Sequence, residues 1–367
     1  MLGSGSRTPA TSNGRRPPAA SASASAAFFD LRRPPRSTRV PPARSPARGA
    51  VRLAGYALIA GGVALPIVRR RLRLHPAAVL GGASLAPLAA AVVWPRGRGR
   101  DFAVCALQMY VYLASYKMPN DRPDAHAARV HIDYPIVLDK ALGVGTLPTT
   151  RLQRALHRDG SFGAFEHVLV WTHWAWFATP HVTLLYIRSR DPKRFLRAAA
   201  LTYAVFDLGA VVYWLAPTAP PWYAAEQGRI GGSEDETAVL VRRLMVEYGE
   251  HFWRERWPRL YAVLGGNPLA AMPSLHFATS TMAAVLLSET GAAPGAVGIA
   301  YAGLLGFALV YLGEHYVVDL VGGGLLCAAV LAGAPRARGP VRRLASLVEG
   351  ARRLALDPAP AALHYKK

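Results

Sequence analysis

The sequence predicts an all-α, polytopic helical membrane protein, and three observations predict it. Of 367 residues, 52% are hydrophobic and 18% charged, yet 43 Lys and Arg stand against 22 Asp and Glu, for a net charge of +21. The excess collects at the ends, with eight net positive charges on residues 1–49 and six on residues 334–367. Between the ends lie eight apolar stretches near the roughly 20 residues that a helix needs to cross a bilayer. A soluble nucleic-acid binder of this charge rarely carries so much apolar sequence, whereas a membrane protein with basic cytoplasmic ends carries both, so nucleic acid is not an expected partner.

Taken in order, residues 1–49 are rich in Ala, Ser, Pro and Arg and cannot bury enough apolar surface to offset their ordering entropy. They read as a disordered basic tail without a signal peptide. Residues 50–100 hold two N-terminal spans, at about 51–68 and 76–94. Residues 101–335 form a membrane domain with spans at about 102–116, 166–187, 195–216, 273–289, 293–313 and 316–334, and residues 336–367 read as a basic cytoplasmic tail. Cys105 and Cys327 lie inside apolar runs, which argues against a disulfide framework and against a cysteine-built metal site.

If all eight stretches cross, both tails and the 95–101 and 188–197 links share one side. The 188–197 link has five Lys and Arg against one acid, while the long loops opposite, 117–165 and 222–272, are nearly neutral. Lys and Arg excess marks the cytoplasm, so the long loops are expected outside. Arg69, Arg70, Arg71 and Arg73 run against this rule, so either the 76–94 stretch is a re-entrant hairpin or the first two spans are miscounted.

Ionisable groups at span ends are expensive without a role. Four segments place them there: Lys117-Met118-Pro119-Asn120-Asp121-Arg122-Pro123, Pro217-Thr218-Ala219-Pro220-Pro221-Trp222, Met272-Pro273-Ser274-Leu275-His276, and Gly313-Glu314-His315-Tyr316-Val317-Val318-Asp319. By the alternation of spans, all four fall on the outer face. His315 and Asp319 are four apart, a spacing that stacks them on one helix face, where a carboxylate can fix the imidazole tautomer and leave the other nitrogen free to attack. Ser274 and His276 open a helix after a proline, where free N–H groups favour an anion. Together they describe a phosphate pocket with one histidine to attack phosphorus and one to protonate the leaving oxygen.

Pro273-Ser274-Leu275-His276 and Tyr311-Leu312-Gly313-Glu314-His315-Tyr316-Val317-Val318-Asp319 resemble the second and third signatures of the type 2 phosphatidic acid phosphatase superfamily. Leu147-Pro148-Thr149-Thr150-Arg151-Leu152-Gln153 and the Pro217-to-Trp222 segment resemble its inositol phosphorylceramide synthase-like branch; the likeness covers about residues 100–335. It implies a six-helix phosphatase-type core plus about two extra N-terminal spans. It also implies a phosphohistidine on His315, oriented by Asp319, with His276 as general acid. The chain departs from the pattern in three places. Ala308 and Leu309 stand where the family often has Ser-Arg, so one phosphate-clamping arginine is absent; Leu275 replaces a glycine; and Lys117 with Arg122-Pro123 matches the first signature only at a spacing of five. Ser274, Lys117 and Arg122 are therefore the candidate phosphate-binding residues, with no cofactor and no metal expected.

The implied substrate is a phospholipid or lipid phosphate. Water resolving the intermediate gives a phosphatase, and an alcohol such as inositol gives a phosphotransferase. The expected location is a bacterial cell membrane with the site on its extracytoplasmic side, and the Ala-, Arg- and Pro-rich composition suggests a high-GC genome. A non-catalytic lipid transporter or scramblase of the same fold is the alternative; intact His276, His315 and Asp319 argue against it, and a basic membrane scaffold leaves the motifs unexplained. Other polar groups have plainer readings. His126, His131, His157 and His251 read as hydrogen-bonding residues, Asp207, His173 and His181 as interhelical pairs or functional candidates, and the Trp171-to-Trp176 run as an aromatic belt. Asp121, Asp124, His126, His131 and Asp133 read as a solvated loop rather than a metal site. Glu234-Asp235-Glu236 reads as a helix start near Ser233, and the basic tails as contacts for anionic lipid.

Overall fold

The computed structural model describes residues 46–158, 162–230, 241–264 and 266–356. Most of the expected N-terminal tail, the end of the C-terminal tail and the acidic run at 234–236 lie outside the described residues. Helices α1 (Pro46–Val68), α2 (Pro76–Val93) and α3 (Arg98–Lys117) come first, so the last four residues expected in the tail are helical. Pro76 starts α2 where a missing N–H costs nothing, and the His75 ring accepts from Ala77 N. The 69–74 turn that breaks the charge rule is explained by pairing. Arg69 and Arg70 both bind the Asp121 carboxylate, at 2.7 Å each, beyond the end of α3. Burial would raise the Asp121 carboxyl, but the two guanidiniums hold it below the usual range.

Three short helices follow: α4 (Pro123–Ala127), α5 (Asp133–Leu142) and α6 (Pro148–Leu156). The stretch expected as one span at 166–187 is two helices, α7 (Ala164–Ala175) and α8 (Thr179–Arg190). Pro180 cannot donate to the Trp176 carbonyl, so the ladder tightens: Trp176, Phe177, Ala178 and Thr179 each bond three residues back. Thr179 Oγ1 takes up the Ala175 carbonyl at 3.0 Å, which keeps that group satisfied inside the bundle. This break turns Trp176 inward.

The remainder is α9 (Pro192–Leu215), α10 (Pro221–Glu226), α11 (Leu244–Trp253), α12 (Trp257–Leu264), α13 (Leu275–Ser288), α14 (Ala292–Tyr311) and α15 (Val317–Leu356). Among the described residues, five helices are long and apolar enough to cross a membrane by length and composition: α1, α2, α9, α14 and α15. Of the other expected spans, α3 is long but more polar, the fourth is broken, and α13 has 14 residues. The chain is an all-α polytopic membrane protein. α15 does not stop near 334 as expected but continues as one helix to Leu356.

Hydrogen bonds sort the helix ends into two groups. At one end Tyr213 donates to Pro273 O at 2.7 Å, Ser274 N to Asp319 O at 2.9 Å and Thr218 N to Leu269 O at 3.0 Å, which ties together α9, α13 and α15. At the other, Arg188 pairs with Asp101 and Arg197 with Glu289, joining the α8–α9 turn to the start of α3 and the end of α13. Asn120 Nδ2 donates to Gly266 O at 3.3 Å, close to Leu269, which brings the 117–123 segment to the first of these ends. The basic 188–197 link and the four polar segments therefore lie at opposite ends of the bundle, as the alternation of spans requires.

Candidate active site

Ser274 ends its extended segment by accepting from Phe277 N, and this cap starts α13 with His276 in its first turn. Leu275, the residue in place of glycine, is buried against α9, where a Cβ at Gly209 would overlap it; the missing side chain on one helix makes room for the extra one on the other. Gly323 of α15 likewise lies against the Ser274 carbonyl, so α13 and α15 meet nearly backbone to backbone.

His315 does not sit on a helix face with Asp319, as the spacing of four suggested. α14 closes through Gly313, whose φ of +80° suits glycine, and His315 precedes the first turn of α15. Asp319 Oδ2 reaches back to Tyr316 N at 2.9 Å in the manner of a capping box, and the same oxygen lies 3.3 Å from His315 Nδ1. The pairing is thus made by a helix cap. His315 Nε2 lies 3.1 Å from His276 Nδ1, which completes a line Asp319–His315–His276. Asp319 is fully buried and His315 is 4% exposed.

The line ends on a cavity of about 620 Å³ between α3, the α7–α8 break, α9, α12 and the starts of α13 and α15. Its walls are aromatic, including Tyr116, Trp174, Trp222 and Trp257, and they reach exposed Leu113 and Phe177 on the bundle surface. The aromatic-belt reading of the Trp171-to-Trp176 run needs correction. Trp174 and Trp176 line the cavity, with the Trp176 ring 4.1 Å from that of His276 and its Nε1–H donating to Thr279 Oγ1 at 2.8 Å. His173 is buried on the same wall, its ring 5.0 Å from His276.

The candidate phosphate binders are dispersed. Lys117 stands on the cavity wall, Arg122 is exposed and away from it, and the Ser274 hydroxyl is spent on its helix cap. Ala308 and Leu309 are fully buried in packing. In the loop read as solvated, Asp133 pairs with Arg229, and His126 Nε2 lies 3.1 Å from Asn267 Oδ1. Two charged groups that the sequence did not single out line the cavity, Arg243 before α11 and Glu314 beside His315.

Asp139 is a third such residue, outside every motif quoted above. Its Oδ1 accepts from Val318 N at 3.0 Å, satisfying an orphan donor at the start of α15 from another helix. Burial pushes the Asp139 carboxyl up to about 6; the Val318 N–H opposes the rise and nearby Asp319 adds to it. An acid whose folded-state value is raised loses stability as pH climbs from about 4, where the unfolded chain releases its proton, to about 6. Asp139→Asn keeps an acceptor and removes this titration. Its melting temperature relative to wild type should be more favourable at pH 7.5 than at pH 4.5, and an equal difference at both would discount the buried acid.

Fold and cavity together define a polytopic membrane protein with a paired-histidine site enclosed at one end of its bundle. The chain belongs to the PAP2 superfamily, whose family model matches residues 138–333, just over half of its length. It is an enzyme of the lipid phosphatase and phosphotransferase kind. A relative named phosphoinositol dihydroceramide synthase, from Bacteroides thetaiotaomicron, is 27% identical over 240 residues, covering 62% of this chain and 75% of that protein. This likeness falls in the inositol phosphorylceramide synthase-like branch. No solved structure matches the chain.

Proposed function

We propose that the protein transfers a phosphoryl group from a lipid through a phosphohistidine on His315, at the extracytoplasmic face of a bacterial membrane. The observation that carries this reading is the hydrogen-bonded line Asp319–His315–His276 at the inner end of an aromatic cavity. With the His315 Nδ1 proton donated to Asp319, its Nε2 lone pair accepts from His276 Nδ1–H, a contact that the approaching phosphorus replaces. His315 Nε2 forms the bond to phosphorus as the ester P–O bond breaks, and His276, entering this step as imidazolium, gives a proton to the departing oxygen and is left neutral. In the second half an alcohol or water attacks phosphorus, the P–N bond breaks, and His276 takes the incoming proton. Trp176, fixed by its bond to Thr279, packs against the His276 ring with centroids 4.1 Å apart and helps to hold that ring in place.

The name of the Bacteroides relative supports an alcohol acceptor, and inositol is the one to test first. Purified protein incubated with labelled phospholipid, with and without inositol, should move label to inositol; release of free phosphate in both conditions would make it a hydrolase, and no turnover in either would defeat the reading. The side of the membrane has its own test. In a variant lacking Cys105 and Cys327, a cysteine at Gln227 should react with a membrane-impermeant maleimide in intact cells, while one at Ser189 should not; both positions are exposed. The opposite labelling pattern would turn the site to the cytoplasm.

A further inference from the structure

The reaction concentrates negative charge, and a phosphoryl group inside an aromatic cavity needs a cation that water no longer supplies. Arg243 is placed on the cavity wall shared by His276 and His315. Its Nε and Nη2 bind the two Glu314 oxygens at 3.0 and 3.3 Å, Nη1 donates to Tyr261 at 2.7 Å, and the guanidinium lies 3.8 Å over the Trp222 ring. Burial alone would lower this guanidinium, but Glu314 and Tyr261 more than reverse the effect, so it stays charged. Of the five N–H groups of an arginine, these contacts use three, leaving one each on Nη1 and Nη2 as a fork.

The backbone behind Arg243 is fixed with unusual care. Gln153 of α6 accepts from Arg242 N at 2.9 Å and donates to both Arg242 O at 2.9 Å and Tyr311 O at 2.8 Å, so one amide bridges the 241–243 segment to the end of α14. At Gly313 a Cβ would come within 2.5 Å of Arg242 O, which presses the same segment against the turn that delivers Glu314 and His315. An exposed arginine at random needs no such support.

We propose that Arg243 binds the phosphoryl oxygens of the substrate through this fork, and that Gln153 is its positioning residue. The proposal rests on the reading that phosphate chemistry occurs in this cavity. It predicts that inorganic phosphate binds the detergent-solubilised full chain and that Arg243 dominates its affinity. Calorimetric titration with inorganic phosphate should show binding by wild type, and Arg243→Ala weakened by about 10- to 100-fold. Arg243→Lys, which keeps the charge and loses the fork, should fall between them. Gln153→Ala should weaken binding in the wild-type background and add nothing in the Arg243→Ala background, the non-additivity expected of a residue acting through another. A folded Arg243→Ala or Arg243→Lys protein with wild-type phosphate affinity would overturn the proposal, as would a wild-type chain that binds no phosphate. Full turnover by His315→Ala, with phosphate affinity still dependent on Arg243, would instead defeat the phosphohistidine reading and leave the clamp standing.

Discussion

His315→Ala should lose at least about 10³-fold in turnover on every phosphate ester tested, because without a nucleophile neither half of the reaction can occur. Asp319→Asn should fall less far, by about 10²-fold, since an amide oxygen can still accept from the imidazole while its charge is gone. The buried position of Asp319 and its bond to Tyr316 N make a second consequence measurable: Asp319→Ala removes a helix cap as well as a partner for His315. It should therefore lower the melting temperature further than His315→Ala does, since His315→Ala leaves the bond from Tyr316 N to Asp319 in place. Equal and near-normal activity in His315→Ala and Asp319→Asn would remove the phosphohistidine route.

His276→Ala should divide substrates by their leaving groups. An alkyl phosphate ester departs as a poor alkoxide and needs a proton, so its cleavage should drop by about 10²–10⁴-fold. An activated aryl phosphate leaves without help and should be cleaved at a rate much closer to wild type. Each variant serves as its own control across the two substrates, which separates chemistry from folding. If a folded His276→Ala protein lost both activities equally, His276 would be a phosphate-binding residue and not the proton donor.

Much of this molecule was legible in the sequence, and the limits are physical. Each of the eight apolar stretches falls largely in helix, because apolar length is a local property. The break at 176–178 was harder to see, since Pro180 alone does not say whether a helix kinks or stops. His276, His315 and Asp319 could be named because they sit in short motifs at span ends, and the structure brings all three together. Their geometry was misjudged: a spacing of four serves a cap as well as a helix face, and only the backbone at Gly313 decides which. Arg243 could not be chosen from sequence, since it meets Glu314 across 71 positions. The one available sign was Arg242-Arg243 standing in a nearly neutral loop. Gln153 lay within a quoted motif, but its role depends on carbonyls from two distant elements.

The contact between Leu275 and Gly209 has a consequence for how variants of this enzyme should be compared. Neither position has an allowed size of its own; what the interface holds constant is their combined volume. Leu275→Gly alone opens a void beside His276, and Gly209→Leu alone forces α9 away from α13, yet the double exchange restores the total with the bulk moved to the opposite helix. Read as a pair, the two residues share one packing volume, so a substitution at either is best judged together with its partner on the facing helix.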